Sequence, residues 1–329
     1  MRVFAPLPLS AVRLAVSGFA LLLALSLTGC DLVQDMMGEG EADTSTPATT
    51  SPATTPGTTT PAQPRQTTPA QPAPPNPQQV LAEFRALTSI SITDEALRRV
   101  AAVPEAAAQI EDLDLSGAAI GTGGLTLLAK FPNLKTVNLS HVKLPAGGFA
   151  GFSPQSTFTE VELPNSTIDA AGLKSLSGVR TLKRINLSGA AAVNADGLTA
   201  LSQIPQLADL DVSRNTLMGA NVTGLLATMP LVRLNLAQTS VNDEGLSNLA
   251  SIQTLKDLSL SFCPITGLGF RNAFKSSQLT KLAVAETNFG EHGLMAVRNM
   301  KSLEELNVYK CRLRPLDIPA IKTAFSSLP

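Results

Sequence analysis

The chain has 329 residues, and its 25 basic and 26 acidic side chains give a formal net charge of −1. This near-neutral balance offers no electrostatic footprint for nucleic acid, which requires a clustered basic face. Aromatic residues make up 4% of the chain, with one Tyr and no Trp, so stacking platforms for bases or sugars are scarce. Three cysteines in so long a chain also exclude a disulfide-rich scaffold.

The first 29 residues have the features of an export signal. Arg2 and Arg13 give a positive start, and residues 14–27 are apolar apart from two serines and a glycine. At about 1.5 Å per residue this run is short for a bilayer, which favours a cleaved signal over a transmembrane helix.

The signal ends in Leu27-Thr28-Gly29-Cys30, which resembles the lipobox of bacterial lipoproteins. The resemblance implies that a lipid is attached to the Cys30 thiol, that residues 1–29 are removed, and that acyl chains anchor the mature protein to a membrane. The implied location is the bacterial cell envelope, after export, in the periplasm or on the surface. The alternative is an ordinary signal peptide in which the cysteine occurs by chance.

Residues 30–79 are expected to form a disordered, lipid-anchored stalk. Residues 44–77 contain ten prolines and eleven threonines, and Arg65 is their one charged residue. Such a composition cannot bury enough apolar surface to offset the entropy lost on ordering. Proline favours extended conformations of up to about 3.1 Å per residue, so the segment can hold a domain on the order of 100 Å from the lipid.

From residue 110 the sequence repeats with a period of 24 residues, with one gap of 25. Each of nine units opens with a large apolar residue and carries two more, three and five positions later. The middle positions of the nine units are Leu113, Val137, Val161, Ile185, Leu210, Leu234, Leu258, Leu282 and Leu306. In such an L-x-L segment the two apolar side chains share one face of a short strand, and the residues between them point to the other face.

This L-x-x-L-x-L frame resembles the leucine-rich repeat, and the fuller unit, with glycine at a bend before L-x-x-L, is similar to ribonuclease-inhibitor-like and GALA-type repeats. The resemblance covers residues 92–328. It implies an α/β fold, a horseshoe-shaped solenoid with parallel strands on the concave face and short helices on the convex face. Close backbone approach explains the recurrent glycine, and one glycine per unit is not a phosphate-binding loop.

An array of stacked repeats needs ends that cover its core. Residues 80–109 are expected to form a helical N-terminal cap, in which residues 92–97 match the second half of a repeat without its strand. Residues 110–329 are expected to form the nine-unit domain, closed by a C-terminal helical cap at 317–325.

Catalytic and metal-binding constellations are not apparent in the repeats. His141 and His292 lie six units apart, so they cannot share a metal ion or a proton. Cys263 and Cys311 occupy the inward slot after the strand, two units apart, and at about 4.8 Å per strand their Cα atoms are too distant for a disulfide. We therefore expect no enzymatic activity and no cofactor.

The solvent face of the strands is the remaining candidate site. Its residues are small, polar or charged, and the alternative to a binding surface is a solvated face that keeps the sheet soluble. Phe262, Tyr309 and Arg214 are its bulky additions. The candidate partner-binding residues are Arg184, Asp209, Asp211, Arg233, Asn235, Asp257, Ser259, Lys281, Glu305, Asn307 and Tyr309.

The sequence thus predicts a membrane-anchored binding or scaffolding module that recognises a protein partner in the bacterial envelope. One alternative is binding of a glycan, either peptidoglycan or a surface polysaccharide, although aromatic platforms for sugars are few. The other is a passive structural role in the envelope. The fold by itself narrows the function little, because it serves many purposes.

Overall fold

A computed structural model describes residues 75–149, 157–190, 193–216, 220–271, 273–274, 278–313 and 319. Within these residues, nine three-residue strands form one parallel sheet whose spatial order is the order of the sequence. The strands are β1 Asp112–Asp114, β2 Thr136–Asn138, β3 Glu160–Glu162, β4 Arg184–Asn186, β5 Asp209–Asp211, β6 Arg233–Asn235, β7 Asp257–Ser259, β8 Lys281–Ala283 and β9 Glu305–Asn307.

The strand register confirms the repeat alignment. Leu113 lies opposite Val137, and the same step of one unit continues to Leu282 opposite Leu306. The one 25-residue unit keeps the register because its extra residue lies outside the strands. The apolar residues of each unit are buried in one continuous core. The predicted α/β leucine-rich repeat solenoid is therefore confirmed.

Helices occupy the cap and most of the segments that return from one strand to the next. The cap contains α1 Pro77–Arg85, α2 Asp94–Ala101 and α3 Pro104–Ala107, and the return segments contain α4 Thr122–Leu127, α5 Ala170–Leu176, α6 Ala195–Leu201, α7 Ala220–Leu226, α8 Asp243–Leu249 and α9 Gly290–Val297. Short 3-10 turns lie at Ser89–Ser91, Leu128–Lys130 and Leu268–Arg271. None of the helices in the described ranges is long and apolar enough to cross a bilayer.

The bend glycines are required by close packing at the start of the return segments. At α5 the side chain of Asp169 accepts a hydrogen bond from the Gly172 N–H, 2.7 Å away, and thereby caps the helix. At Gly269, an added Cβ atom would lie 2.5 Å from the backbone oxygen of Asp243 in the preceding unit. The return segment after β2 differs: its described residues form turns, where Pro145, Gly147 and Gly148 disfavour a helix.

The N-terminal cap begins at Pro77, where the side chain of Asn76 accepts a hydrogen bond from the Gln78 N–H at 3.0 Å. The predicted boundary at residue 80 thus falls inside α1, three residues after its start. The export signal, Cys30 and the stalk up to residue 74 lie outside the described residues. The predicted C-terminal helix at 317–325 also lies outside them, apart from Pro319.

In every unit, the residue four positions after the middle strand residue has a left-handed backbone conformation. Its φ values lie between 51° and 68° in all nine units. Glycine occupies this position in two units only, and the nine residues are Gly117, His141, Asn165, Gly189, Arg214, Gln238, Phe262, Glu286 and Lys310. The backbone turns here towards the return segment, and in units 1 to 8 the N–H of this residue donates to a carbonyl of the following unit, as from Gly117 to Ser140 at 2.8 Å.

Candidate functional site

The candidate site is the surface formed by the first and third residues of the nine strands, which we call the strand face. The middle residue of each strand points into the core, whereas the residues on either side of it are half-buried or exposed. All eleven candidate partner-binding residues lie in units 4 to 9, ten of them in the strands themselves and Tyr309 two residues after β9. The strand register therefore brings them together on one side of the sheet.

The third strand residue ends the strand through its own side chain. In six units an Asn or Asp Oδ1 atom accepts a hydrogen bond from the backbone N–H two residues later, at 2.9–3.0 Å. The side chains are those of Asp114, Asn138, Asn186, Asp211, Asn235 and Asn307. This is an Asx turn, and it supplies the backbone N–H with an acceptor at the point where the strand pairing ends. These amides and carboxylates are thus partly committed to the fold.

The first strand residues form a row of alternating charge, which we call the charge ladder: Glu160, Arg184, Asp209, Arg233, Asp257, Lys281 and Glu305. Arg184 bridges two neighbours, with its Nη1 atom 2.9 Å from Glu160 Oε1 and its Nε atom 2.7 Å from Asp209 Oδ2. Arg233 reaches the same Oδ2 atom of Asp209 at 2.7 Å. Hydrogen bonds to Glu160 and Asp209 raise the pKa of Arg184 above its already high ordinary value.

Asp257 is the member of the charge ladder without such a pair. Arg233 pairs with Asp209, and Lys281 pairs with Glu305 at 2.9 Å, so both neighbouring cations turn away from it. In the described part of the chain no hydrogen bond or ion pair reaches its carboxylate. Burial raises the pKa of Asp257, and the charges of Lys281 and Arg233 oppose that rise.

Two exposed aromatic side chains lie at the end of the strand face that carries units 7 to 9. Phe262 is 50% exposed in the left-handed position after β7, and Tyr309 is 55% exposed after β9. The neighbouring face positions in β7 and β8 are Ser259 and Ala283, the small exceptions in the otherwise mostly Asn and Asp column. The Lys310 ammonium lies 5.3 Å from the centroid of the Tyr309 ring. Aromatic side chains are enriched among the residues that anchor protein interfaces.

His141, Cys263 and Cys311 occupy structural positions in the repeat, and His292 is an exposed residue of α9. His141 is the left-handed residue of unit 2, and the described residues hold no group of three His, Cys, Asp or Glu side chains that could bind a metal ion. The Cys263 thiol is 3.1 Å from the Leu236 carbonyl oxygen, and the Cys311 thiol is 2.9 Å from that of Val284. Burial raises the pKa of Cys263, which keeps its thiol protonated and unreactive.

The inward slot after the strand binds backbone carbonyls, as the repeat pattern predicts. Ser166, Thr239 and Thr287 donate a hydroxyl hydrogen bond to the carbonyl three residues earlier, at 2.7–2.8 Å. Asn215 contacts more carbonyl groups than these hydroxyl side chains do, because its Nδ2 atom lies 2.9–3.0 Å from the carbonyl oxygens of Leu187, Val212 and Ser213. It thus joins two consecutive units through a buried side chain.

Similarities to known proteins include one repeat motif and two solved structures of low sequence identity. A family model described as a leucine-rich repeat matches residues 251–270. Curated protein sequences give no match. Among solved structures, the internalin InlF of Listeria monocytogenes is 11% identical with a TM-score of 0.47, over 75% of this chain and 92% of that one. Internalin C2 of Listeria monocytogenes is 14% identical with a TM-score of 0.40, over 77% of this chain and 88% of that one. The matched residues span β7 and its return segment, and they carry the same repeat that the nine-strand register shows.

Proposed function

We propose that the protein is a lipid-anchored binding or scaffolding module of the bacterial cell envelope that recognises a protein partner through its strand face and has no enzymatic activity. In this proposal the chain is exported, acylated at Cys30 and held to a membrane, and residues 30–76 form the stalk. The lipobox-like Leu27-Thr28-Gly29-Cys30 and the composition of residues 44–77 support it. The glycine-containing 24-residue unit supports assignment to the ribonuclease-inhibitor-like or GALA-type subfamily.

The exposure of Phe262 and Tyr309 is the observation that carries the choice of a protein partner. Most polar groups of the strand face already have partners within the protein, because the charge ladder pairs side chains with one another and the Asx turns pair side chains with backbone N–H groups. Burying self-paired charges gains little binding free energy, whereas aromatic side chains are enriched among the few residues that supply most of it in protein interfaces. We therefore place the centre of the interface on units 7 to 9, with Arg184, Asp209 and Arg233 at its periphery.

The glycan alternative is less favoured by these contacts. Sugar recognition uses hydrogen bonds from planar polar side chains, and all six Asn and Asp side chains among the nine residues of the third-residue column already accept a backbone hydrogen bond. Asp211 uses its second oxygen as well, since Oδ2 accepts from Asn235 Nδ2 at 2.8 Å. A glycan ligand would have to compete with these intramolecular bonds or add to them.

An affinity capture from detergent-solubilised envelopes of the source bacterium tests the proposal, with the full chain as bait. We expect the double variant Phe262→Ala and Tyr309→Ala to recover at least about tenfold less of a protein partner, because each truncation removes an anchor. The matched control is Leu268→Ala with Met295→Ala, whose side chains are 48% and 57% exposed on the return segments.

The two baits give distinct readings. Loss of the partner with the aromatic double variant alone supports the strand face as the binding surface. Equal recovery with both double variants contradicts it, and capture of cell-wall material without a protein favours the glycan alternative. Reversing the charge of Arg233 is a poorer probe, since Glu at that position would face Asp209 and disturb the sheet itself.

A further inference from the structure

A cleft of about 460 Å³ lies at the N-terminal edge of the sheet, between the cap and β1. Phe84, Leu87 and Ile92 line it on the cap side, and residues 109–114 line it on the strand side. The floor is apolar, because Phe84, Ile92 and Leu113 are at most 8% exposed, and the rim is polar. This cleft takes no part in the proposed interface on units 7 to 9, which lies at the opposite end of the sheet.

The eight strand pairings show which backbone groups of β1 remain open. In each pairing the carbonyl one residue before a strand accepts two N–H groups from the next strand, as Glu111 accepts from Lys135 and Thr136. In each pairing, too, the residue after a strand donates to the last carbonyl of the next one, as Leu115 donates to Asn138 at 2.8 Å. The corresponding outward groups of β1 are therefore the N–H groups of Glu111 and Asp112 and the carbonyl of Asp114.

Among the described residues, no strand pairs with this side of β1. The cap contacts this edge after the end of β1, through an isolated parallel β-bridge between Thr93 and Ala119. An open strand edge is a template for pairing with an extended segment, which gains backbone hydrogen bonds from it. Because the edge of β1 borders the cleft, side chains of an added segment can also occupy the cleft.

The charges at the edge determine what kind of segment fits. Asp112 and Asp114 are exposed on β1, and in the described part of the chain neither carboxylate has an ion pair. Arg85, the cation of the cleft, donates to the carbonyl of Gln109 at 3.3 Å. Within the sheet, the acid Asp209 at the position equivalent to Asp112 is flanked on both sides by arginine. A residue opposite Asp112 is accordingly expected to be Lys or Arg.

Two other occupants are disfavoured by the sequence. A second copy that added its β9 in the same register would place Glu305 opposite Asp112, and like charges directly opposite each other are destabilising. The proline-rich residues 44–77 lack many of the N–H groups that strand pairing needs and carry one charge, Arg65.

We propose that the cleft binds an extended, basic segment of a partner protein as a tenth parallel strand beside β1. Its backbone accepts from the N–H groups of Glu111 and Asp112 and donates to the carbonyl of Asp114. A Lys or Arg of the segment pairs with Asp112, and the following apolar side chain enters the cleft over Leu113. The preferred motif is thus a basic residue, then an apolar residue, and then a residue that is basic or polar.

Fluorescence anisotropy with the full chain tests this site, with the labelled peptide acetyl-Thr-Lys-Val-Lys-Leu-Thr-amide as probe. Asp112→Asn is expected to weaken its binding about tenfold, the loss of one charge-assisted contact. Asp196→Asn on α6 is the matched control, since it removes the same charge from an exposed helix position far from the cleft. On binding, hydrogen exchange at the Glu111 and Asp112 amides is expected to slow.

Peptide controls separate strand addition from simple charge attraction. The peptide with both lysines replaced by Glu, and the peptide with an N-methylated backbone, should bind at least about tenfold more weakly. Equal weakening by Asp112→Asn and Asp196→Asn, unchanged exchange at Glu111 and Asp112, or absence of binding would overturn the proposal. None of these results depends on Phe262 or Tyr309, so failure here leaves the proposed interface on units 7 to 9 untouched.

Discussion

Replacing Asn215 by alanine is expected to lower the free energy of unfolding by about 1 to 3 kcal/mol. The side chain is 8% exposed, and its NH2 group shares two hydrogens among three carbonyl oxygens that lie 2.9–3.0 Å from Nδ2. Alanine leaves the buried Val212 carbonyl without this donor, whereas the Leu187 and Ser213 carbonyls keep the N–H groups of Ala190 and Gly189. A buried polar group that loses its partner pays its full desolvation cost, which exceeds the net gain of an ordinary hydrogen bond.

Urea unfolding followed by circular dichroism measures this loss. Thr216→Ala is the control, since Thr216 is the next residue and is exposed, so its replacement should shift the transition little. Asn215→Thr should recover part of the loss, because Thr239 and Thr287 occupy the same slot and donate to the carbonyl three residues earlier. A loss in Asn215→Ala no larger than that in Thr216→Ala would show that the three contacts contribute nothing.

Asp209→Asn is expected to destabilise the protein by about 1 to 2 kcal/mol at low salt, because the amide cannot neutralise the two guanidinium groups that share Asp209 Oδ2. The carboxylate is 17% exposed, which protects the pairs from solvent more than is usual on a surface. Arg184 retains Glu160 as a partner, whereas Arg233 retains none within pairing distance among the described residues. Because salt screens exposed charges, the loss should shrink at about 1 M NaCl, where the Debye length is about 3 Å.

Asp257→Asn is a control in the same charge ladder, and it is not expected to destabilise the protein. Burial raises the pKa of Asp257 in the folded state, so the folded chain prefers the protonated carboxyl. The associated stability is present below the unfolded pKa and is lost as the pH rises through the folded pKa. At pH 7 the variant should therefore match or slightly exceed the wild type in stability, and this difference should vanish as the pH falls below the aspartate range. Equal destabilisation by both variants would contradict the pairing pattern of the charge ladder.

The sheet was predictable because its pattern is local and repeated. Three apolar positions per unit define the strand, and the same three positions nine times define the register. Even the 25-residue unit causes no error, since Leu182 and Leu207 each restart the count. The inward slot was predictable for the same reason, from Asn215, Thr239 and Cys263 in equivalent places.

The left-handed turn was not predicted, because most units lack the glycine or asparagine that usually marks such a turn. Glycine marks it at Gly117 and Gly189, and asparagine at Asn165, but the other units carry residues that seldom adopt positive φ, such as Phe262. Stacking on the following unit imposes the conformation there, through the N–H of Phe262 on the carbonyl of Ala285 at 2.8 Å. Tertiary contacts of this kind do not appear in the composition of a single unit.

The chemistry of the strand face was only half predictable. The alternating charges from Glu160 to Glu305 are visible in the aligned sequence, but which cation turns to which acid depends on side-chain geometry. The Asx turns could have been inferred from Asn and Asp two residues before a turn, which is a known preference. The cleft beside β1 could not, because it depends on how α1 and the turn at Ser89–Ser91 lie against the first strand.

Site-specific photo-crosslinking on cells tests most directly whether the strand face of units 7 to 9 contacts a protein. A benzophenone amino acid replaces Tyr309 in one strain and Met295 in another. Tyr309 follows β9 and is 55% exposed, whereas Met295 lies on α9 of the return segment and is 57% exposed. The proposed function predicts a discrete protein adduct from position 309 upon irradiation and none of the same mass from position 295. The same adduct from both positions, or none from position 309 in cells that retain the folded protein, would contradict it.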